Sequence, residues 1–268
     1  MTLADATSLL FVPGHRPDRF AKAAGAGAGA VILDLEDAVA PDAKDEARAH
    51  VRAWLAAEPA GPESVVRINP PGTAWYDADV AALAGTSAVV MLPKAETPDA
   101  VAALVAALGP GATVLPLIET ADGVLNARSV LAVPGVLRAA FGSIDLSAQL
   151  GVDPTDTTAL LAARSALVLA SAGAGVAPPV DGVSTDIGDD AALAADARHA
   201  AALGFTAKLC IHPRQLPTVH AAFAPTADEL AWARRVLDAA GDGAVTVLDG
   251  KMVDKPVVDR ARRILARA

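Results

Sequence analysis

The fold is decided by the unit at residues 31–57, VILDLEDAVAPDAKDEARAHVRAWLAA. An apolar run, Val31–Leu35, leads into Glu36 and Asp37 and then into the alanine-rich stretch Ala43–Ala57. Continuous apolar strands that alternate with helices are typical of a parallel sheet buried on both faces. The same order recurs along the chain, so the sequence predicts an α/β fold.

Eight strands are predicted, at Leu9–Val12, Val31–Leu35, Val65–Ile68, Ala88–Leu92, Thr113–Ile118, Val136–Phe141, Pro179–Val183 and Thr206–Ile211. The helices predicted between them include Arg19–Ala24, Ala43–Ala57, Asp77–Leu83, Pro98–Leu108 and Ala191–Leu203. Eight strand-helix units in roughly 220 residues match a closed (β/α)8 TIM barrel. A doubly wound open sheet is the alternative, but the glycines of Gly25–Gly29 precede a strand, whereas a dinucleotide loop follows one.

The last part of the chain has no place in an eightfold count. We therefore predict a catalytic barrel at residues 1–222 and a C-terminal helical appendage or lid at residues 223–268. The elements expected in the appendage are a helix from Thr226 to Ala240 with a capping box to Glu229, a strand at Ala244–Leu248 and a helix at Pro256–Ala266.

Composition restricts the class of partner. The net charge of −9 argues against a nucleic-acid partner, although a few local arginines could still bind an anionic substrate. Cys210 is the only cysteine, which fits a reducing compartment, and its apolar neighbours favour a buried core residue over a nucleophile. With no basic leader in Met1–Ser8 and no apolar run of membrane-spanning length, we expect a cytoplasmic protein without a membrane segment.

Every predicted strand carries an ionisable residue toward its carboxyl end or just after it. In a TIM barrel the chemistry lies at the carboxyl ends of the strands. In strand order these residues are His15 with Arg16, Asp34 with Glu36 and Asp37, Arg67, Lys94, Glu119, Asp145, Asp181 and His212. We therefore expect one shared polar pocket at this end of the barrel.

Glu119 and Asp145 are the best pair of metal ligands in the sequence. Mg²⁺ is usually held by one or two carboxylates together with waters and substrate oxygens. The histidines are scattered and form no zinc motif. The structural alternative is that each carboxylate caps or begins a helix.

Arg67 and Arg16 are the natural anion binders, because guanidinium forms a two-pronged bond with a carboxylate. The alternative is an ion pair with Glu36 or Asp37, which together with Asp34 could also orient an arginine for substrate. Lys94 is expected to contact a substrate carboxylate. A Schiff base at Lys94 is disfavoured, since neighbouring carboxylates raise a lysine pKa.

The motifs at the strand ends resemble one family along nearly the whole chain. They are residues 10–17 LFVPGHRP, 34–39 DLEDAV, 66–69 VRIN, 92–94 LPK, 117–120 LIET, 141–146 FGSIDL, 211–213 IHP and 249–256 DGKMVDKP. Together they resemble the citrate lyase beta-subunit-like proteins of the HpcH/HpaI aldolase superfamily, which also contains malyl-CoA and citramalyl-CoA lyases. The family often has Glu-Asp before the leucine, where this chain has Ile144-Asp145, so a supporting carboxylate is lost.

The resemblance implies an enzyme that cleaves or forms a carbon–carbon bond. Its substrate would be a 3-hydroxyacyl-CoA such as malyl-, citramalyl- or citryl-CoA, and its products an acetyl-CoA-type thioester and a 2-oxo acid. The resemblance also implies Mg²⁺ at Glu119 and Asp145, and Arg67 on the substrate's carboxylate or nascent oxyanion. It further implies a homo-oligomer, a trimer or a multiple of one, in which Asp254 supplies an acid/base carboxylate to a neighbouring subunit.

Three alternatives stay open. The chain could be a class II aldolase that uses pyruvate without CoA, or a non-catalytic barrel within a larger complex. Asp254 could simply cap the last helix, which Pro256 would begin.

Overall fold

The computed structural model describes residues 2–58, 60–240 and 245–267. In the part before Phe223, parallel strands close into a barrel in which each strand pairs with the next and the last with the first. The strands are β1 Ser8–Pro13, β2 Ala30–Asp34, β3 Glu63–Arg67, β4 Val89–Leu92, β5 Val114–Ile118, β6 Arg138–Phe141, β7 Ala177–Asp181 and β8 Ala207–Cys210. The predicted TIM barrel is confirmed.

Helices connect the strands. They are α1 Phe20–Ala24, α2 Lys44–Ala56, α3 Tyr76–Leu83, α4 Pro98–Leu108, α5 Ala121–Leu125, α6 Ala127–Leu131, α7 Ser143–Leu150, α8 Leu161–Ala174, α9 Asp190–Leu203 and α10 Leu216–Phe223. Each helix named from the sequence within this part is present, with ends that differ by at most one residue. The alternation of apolar runs and alanine-rich stretches therefore located these helices correctly.

Strand side chains alternate between the barrel interior and the surrounding helices. Residues that fill the interior include Ile32, Val65, Leu117 and Val180. Asp34, Arg67 and Glu119 each lie two residues after one of the first three of these residues. They therefore face the interior as well, at the carboxyl end of the barrel. Asp181 follows Val180 by one residue, so it faces the helices instead.

A buried arginine closes the amino-terminal end of the barrel. The Nη1 atom of Arg138, the first residue of β6, donates to the carbonyls of Leu3, Ala4 and Ala6 at 3.1, 3.3 and 3.1 Å. Burial lowers the pKa of Arg138 to about 10. The segment before β1 is thus fixed beneath the barrel by hydrogen bonds to neutral carbonyls.

The chain divides into two compact units, one up to Ala222 and one from Phe223. The second unit contains α11 Ala227–Ala240, β9 Thr246–Leu248, β10 Lys251–Val253 and α12 Lys255–Leu265. The capping box is confirmed: Thr226 N donates to Glu229 Oε2 at 2.9 Å, and Glu229 N donates to Thr226 Oγ1 at 3.2 Å.

The predicted strand of the appendage is only part of the observed structure. β9 covers its second half, while Ala244 lies outside the described residues. β10, which the sequence analysis missed, pairs antiparallel with β9. The two strands meet at Asp249-Gly250, whose φ angles of 52° and 73° are typical of a tight hairpin turn.

None of the helices in the described ranges combines the length and the apolar character needed to cross a membrane.

Candidate active site

Arg67 is held by carboxylates at the carboxyl end of the barrel. Its Nε and Nη2 atoms donate to the two carboxylate oxygens of Asp34 at 2.8 and 2.6 Å. Its Nη1 atom lies 3.0 Å from Glu36 Oε2 and 3.4 Å from Asp37 Oδ2. The guanidinium also stacks 4.8 Å from the centre of the Phe11 ring. We call these five residues the inner cluster.

The inner cluster has more acidic than basic groups, and its pKa values reflect this. Burial raises the pKa of Glu36 to about 8, an effect that Arg67 opposes and the neighbouring carboxylates reinforce. For Arg67, burial alone would lower the pKa, but Asp34 and the other carboxylates outweigh it and raise the pKa. Arg67 therefore keeps its charge, while Glu36 is largely protonated at neutral pH.

The loop after β2 is fixed by hydrogen bonds to its backbone. Asp34 accepts from the amides of Glu36 at 2.9 Å and Ala38 at 3.1 Å. Lys44 Nζ donates to the carbonyls of Leu35 at 2.9 Å and Glu36 at 3.0 Å. Lys44 was not among the residues expected at the site, because nothing in its sequence context distinguishes it from an ordinary helix-start lysine.

Two further carboxylates lie against Lys94. The Nζ atom of Lys94 lies 3.2 Å from Asp145 Oδ1 and 3.7 Å from Glu119 Oε1. The backbone amide of Lys94 also donates to Glu119 Oε1 at 2.9 Å. Lys94 adopts a left-handed conformation with φ of 49°, which costs free energy for a residue with a side chain. Glu119 follows β5 and Asp145 lies in the first turn of α7, so the fold brings both carboxylates to one cation.

Burial raises the pKa of Glu119 to about 7; Lys94 opposes this shift and Asp145 adds to it. Burial alone would lower the pKa of Lys94, but Glu119 and Asp145 reverse the effect and raise it. Gly142 is also required here, because a Cβ atom at this position would overlap the Cβ and Oε2 atoms of Glu119.

The pair Glu119 and Asp145 fits a hard divalent cation. Both carboxylates converge on a single positive charge, the ammonium of Lys94. Within the described residues, no three or more His, Cys, Asp or Glu side chains form a group that could hold a metal by themselves. Two carboxylates, with the other positions left to water or substrate, are the donor set that Mg²⁺ commonly takes.

Other residues that the sequence analysis singled out have local partners. Arg16 forms a two-pronged ion pair with Asp18 at 2.8 and 2.7 Å on the surface. His212 Nδ1 accepts from the amide of Arg214 at 3.2 Å, as expected of a structural histidine. Cys210 is buried, which raises the pKa of its thiol to about 12 and agrees with a core role.

The expectation of one pocket shared by all eight strand ends is wrong for the seventh strand. Asp181 points to the helices, where its Oδ1 accepts from Arg164 Nε at 2.8 Å and its Oδ2 from Lys208 Nζ at 3.0 Å. Lys208 also donates to Asp196 at 2.7 Å, and Arg164 lies 5.4 Å from the centre of the Phe141 ring. We call these five residues the outer cluster. The reason is side-chain alternation, which turns Asp181 away from the interior.

Asp254 is the N-cap residue of α12 in the second unit. Its Oδ1 atom accepts from the amide of Val257 at 3.3 Å, which is the geometry of a helix cap. The capping interaction expected as an alternative is therefore present, and the acid/base role stays a prediction.

Comparisons with known proteins agree on one family. The model of the HpcH/HpaI aldolase/citrate lyase family matches residues 7–213. A citrate lyase subunit beta-like protein of Mycobacterium tuberculosis is 43% identical over 97% of this chain and 94% of the relative. A (3S)-malyl-CoA thioesterase of Cereibacter sphaeroides is 36% identical over the same shares of the two chains.

A solved structure supports the same assignment. The crystal structure of CitE from Mycobacterium tuberculosis, in complex with magnesium, acetoacetate and coenzyme A, is 42% identical. It matches with a TM-score of 0.86 and covers 99% of each chain. The chain described here therefore belongs to the HpcH/HpaI aldolase/citrate lyase family.

Proposed function

We propose that this protein is an Mg²⁺-dependent carbon–carbon lyase that acts on a 3-hydroxyacyl-CoA such as malyl-, citramalyl- or citryl-CoA. The products would be an acetyl-CoA-type thioester and a 2-oxo acid. The observation that carries the proposal is the placement of Arg67 and the Glu119–Asp145 pair at one end of the barrel. The family and the magnesium and CoA bound to its solved relative support it.

Glu119 and Asp145 would hold the ion, and Lys94 would turn from them to a carboxylate of the substrate. When bound, Mg²⁺ would act as a Lewis acid that polarises the carbonyl or hydroxyl oxygen of the 2-oxo or 3-hydroxy acid.

Arg67 would stabilise the negative charge that moves between oxygens as the bond breaks. Asp34 fixes the plane of the guanidinium from one side, through two hydrogen bonds. On the other side, Nη1 faces Glu36, whose raised pKa leaves it largely uncharged. A substrate anion at Nη1 would therefore have to displace only Asp37, an exposed carboxylate 3.4 Å away. Arg16 would join the substrate only by exchanging Asp18 for a substrate anion.

We also propose that Asp254 acts in a neighbouring subunit of a homo-oligomer, a trimer or a multiple of one, with residues 223–268 serving as a lid. Asp254→Ala and Glu119→Ala should each be inactive, and mixing them should restore activity once subunits exchange. No recovery after proven exchange, or full activity of Asp254→Ala alone, would leave Asp254 as a helix cap. A cytoplasmic location belongs to the same proposal.

A second candidate is hydrolysis of the thioester, which the 36% identity to a (3S)-malyl-CoA thioesterase favours. The two reactions leave different products. Carbon–carbon cleavage gives acetyl-CoA and a 2-oxo acid without free thiol, whereas hydrolysis gives free CoA thiol and the intact hydroxy acid.

The experiment is a screen of malyl-, citramalyl- and citryl-CoA, with and without Mg²⁺, that measures 2-oxo acid and free thiol in the same samples. The proposal expects Mg²⁺-dependent release of 2-oxo acid without thiol. Thiol alone would establish the thioesterase. Turnover of pyruvate with an aldehyde would point to the CoA-independent aldolase. A protein that neither turns over any of these substrates nor binds Mg²⁺ would be a non-catalytic barrel.

A further inference from the structure

Lys44 is a buried cation just outside the candidate active site. It is the first residue of α2, and only 5% of its surface is exposed. Its ammonium donates to the backbone carbonyls of Leu35 and Glu36, and it lies 4.8 Å from the centre of the Trp75 ring. A buried ammonium is costly unless its charge and its donors are compensated, and here two carbonyls and an aromatic face do this.

These hydrogen bonds fix the backbone that carries the inner cluster. Leu35 and Glu36 directly follow Asp34, the last residue of β2. Asn69 Nδ2 donates to the same Leu35 carbonyl at 2.9 Å and to Asp79 at 2.6 Å, so α3 also helps to hold this loop. The positions of the Leu35 and Glu36 carbonyls therefore depend on groups outside the barrel.

A movement of this loop would reach Arg67. Glu36 lies against Arg67 Nη1, and the amide of Glu36 donates to Asp34, which holds the other edge of the guanidinium. Both sides of Arg67 thus depend on the loop that Lys44 anchors. We infer that Lys44 is a positioning residue that orients Arg67 for substrate through the carbonyls of Leu35 and Glu36. This inference rests on the proposed role of Arg67 in substrate binding.

The test uses four variants of the full chain. Lys44→Met removes the donors and keeps an unbranched apolar side chain, whereas Lys44→Arg restores donors. Trp75→Leu removes the aromatic face and leaves Lys44 in place. Lys22→Met, at an exposed lysine of α1, is the matched control. The readout is the affinity for pyruvate at saturating Mg²⁺, measured by calorimetry well below each melting temperature.

We expect Lys44→Met to weaken pyruvate binding by about tenfold, the usual scale for a residue that orients a binding group. Lys44→Arg should recover most of this loss, Trp75→Leu should show a smaller loss, and Lys22→Met none. On an Arg67→Lys background, Lys44→Met should weaken binding by less than about twofold, because the group it orients has already been changed.

An equal loss on both backgrounds, or unchanged affinity in Lys44→Met, would overturn the inference and leave Lys44 with a role in stability alone. If Lys44→Met does not fold, the losses of pyruvate affinity caused by Trp75→Leu on the wild-type and Arg67→Lys backgrounds test the inference instead. A wild-type protein that binds neither pyruvate nor the 2-oxo acids expected from malyl- and citryl-CoA at saturating Mg²⁺ would instead overturn the proposed function, and the inference with it. The two failures are therefore distinct.

Discussion

The inner and outer clusters use the same parts in different ways. Each places an arginine on a phenylalanine ring and gives it an aspartate from a strand end: Arg67 has Phe11 and Asp34, and Arg164 has Phe141 and Asp181. The inner cluster faces the barrel interior and the outer cluster faces the helices.

The two clusters also differ in their balance of charge. In the outer cluster, the two positive charges of Arg164 and Lys208 balance the two negative charges of Asp181 and Asp196. Lys208 and Asp181 are fully buried. In the inner cluster, three carboxylates share Arg67, and the pKa of Glu36 is raised. Breaking a buried and balanced cluster costs stability, whereas an unbalanced cluster at the mouth of a barrel is suited to a ligand.

The largest effect is expected from Lys208→Met in the outer cluster. This change leaves the buried Asp181 without one of its cations, and breaking a buried pair typically costs about 3–5 kcal/mol. Urea unfolding should show this loss, and Lys22→Met should show little change. A fall of less than about 1 kcal/mol in the free energy of unfolding would mean that water or Arg164 compensates the charge of Asp181. The contrast between the two clusters would then be weaker.

Arg67→Lys should act on catalysis rather than on stability. Lysine keeps the charge but cannot reproduce the two-pronged bond to Asp34, so we expect kcat/KM to fall by about 10²-fold with little change in melting temperature. Arg164→Lys is the matched change in the outer cluster, and it should lower stability while sparing kcat/KM. The reverse pattern would make Arg67 a structural ion pair.

A smaller effect concerns pH. The pKa of Glu36 is about 8 in the folded protein and near 4.5 when unfolded, so the folded state holds the extra proton between these values. Stability from this group is complete below pH 4.5 and is lost as the pH rises toward about 8. The free energy of unfolding, measured in urea, should fall between pH 5 and 8.5 by at least about 1 kcal/mol less in Glu36→Gln than in the wild type. Glu46→Gln, on the exposed face of α2, should keep the wild-type slope.

The sequence predicted the barrel because apolar runs and alanine-rich stretches alternate with the spacing of strand-helix units. It did not predict the direction of Asp181, because the strand-end residues were counted without regard to alternation. Asp181 comes one residue after the apolar Val180. If Val180 faces the barrel interior, alternation along the strand places Asp181 toward the helices, outside the inner cluster. β10 was not predicted, although Asp249-Gly250 is a strong hairpin signal, because its short sequence Lys251–Val253 lies among charged residues.

The site residues were only partly predictable. Glu119, Asp145, Arg67 and Lys94 lie at strand ends or just after them, so the closure of the barrel brings them to one end. The partner of Arg16 proved to be Asp18, two residues away, and a sequence offers no way to rank such local pairs against distant ones. Lys44 acts on backbone carbonyls, and such contacts leave no sequence pattern.

The most direct test of the account is a titration of Mg²⁺ by calorimetry, with wild-type protein, Asp145→Ala and the exposed control Asp122→Ala. Wild type and Asp122→Ala should bind one Mg²⁺ per chain with the same affinity. Asp145→Ala should bind at least about tenfold more weakly, because the loss of a ligand costs more than the loss of a residue that orients one. An unchanged affinity in Asp145→Ala would contradict the metal assignment and, with it, the proposed site.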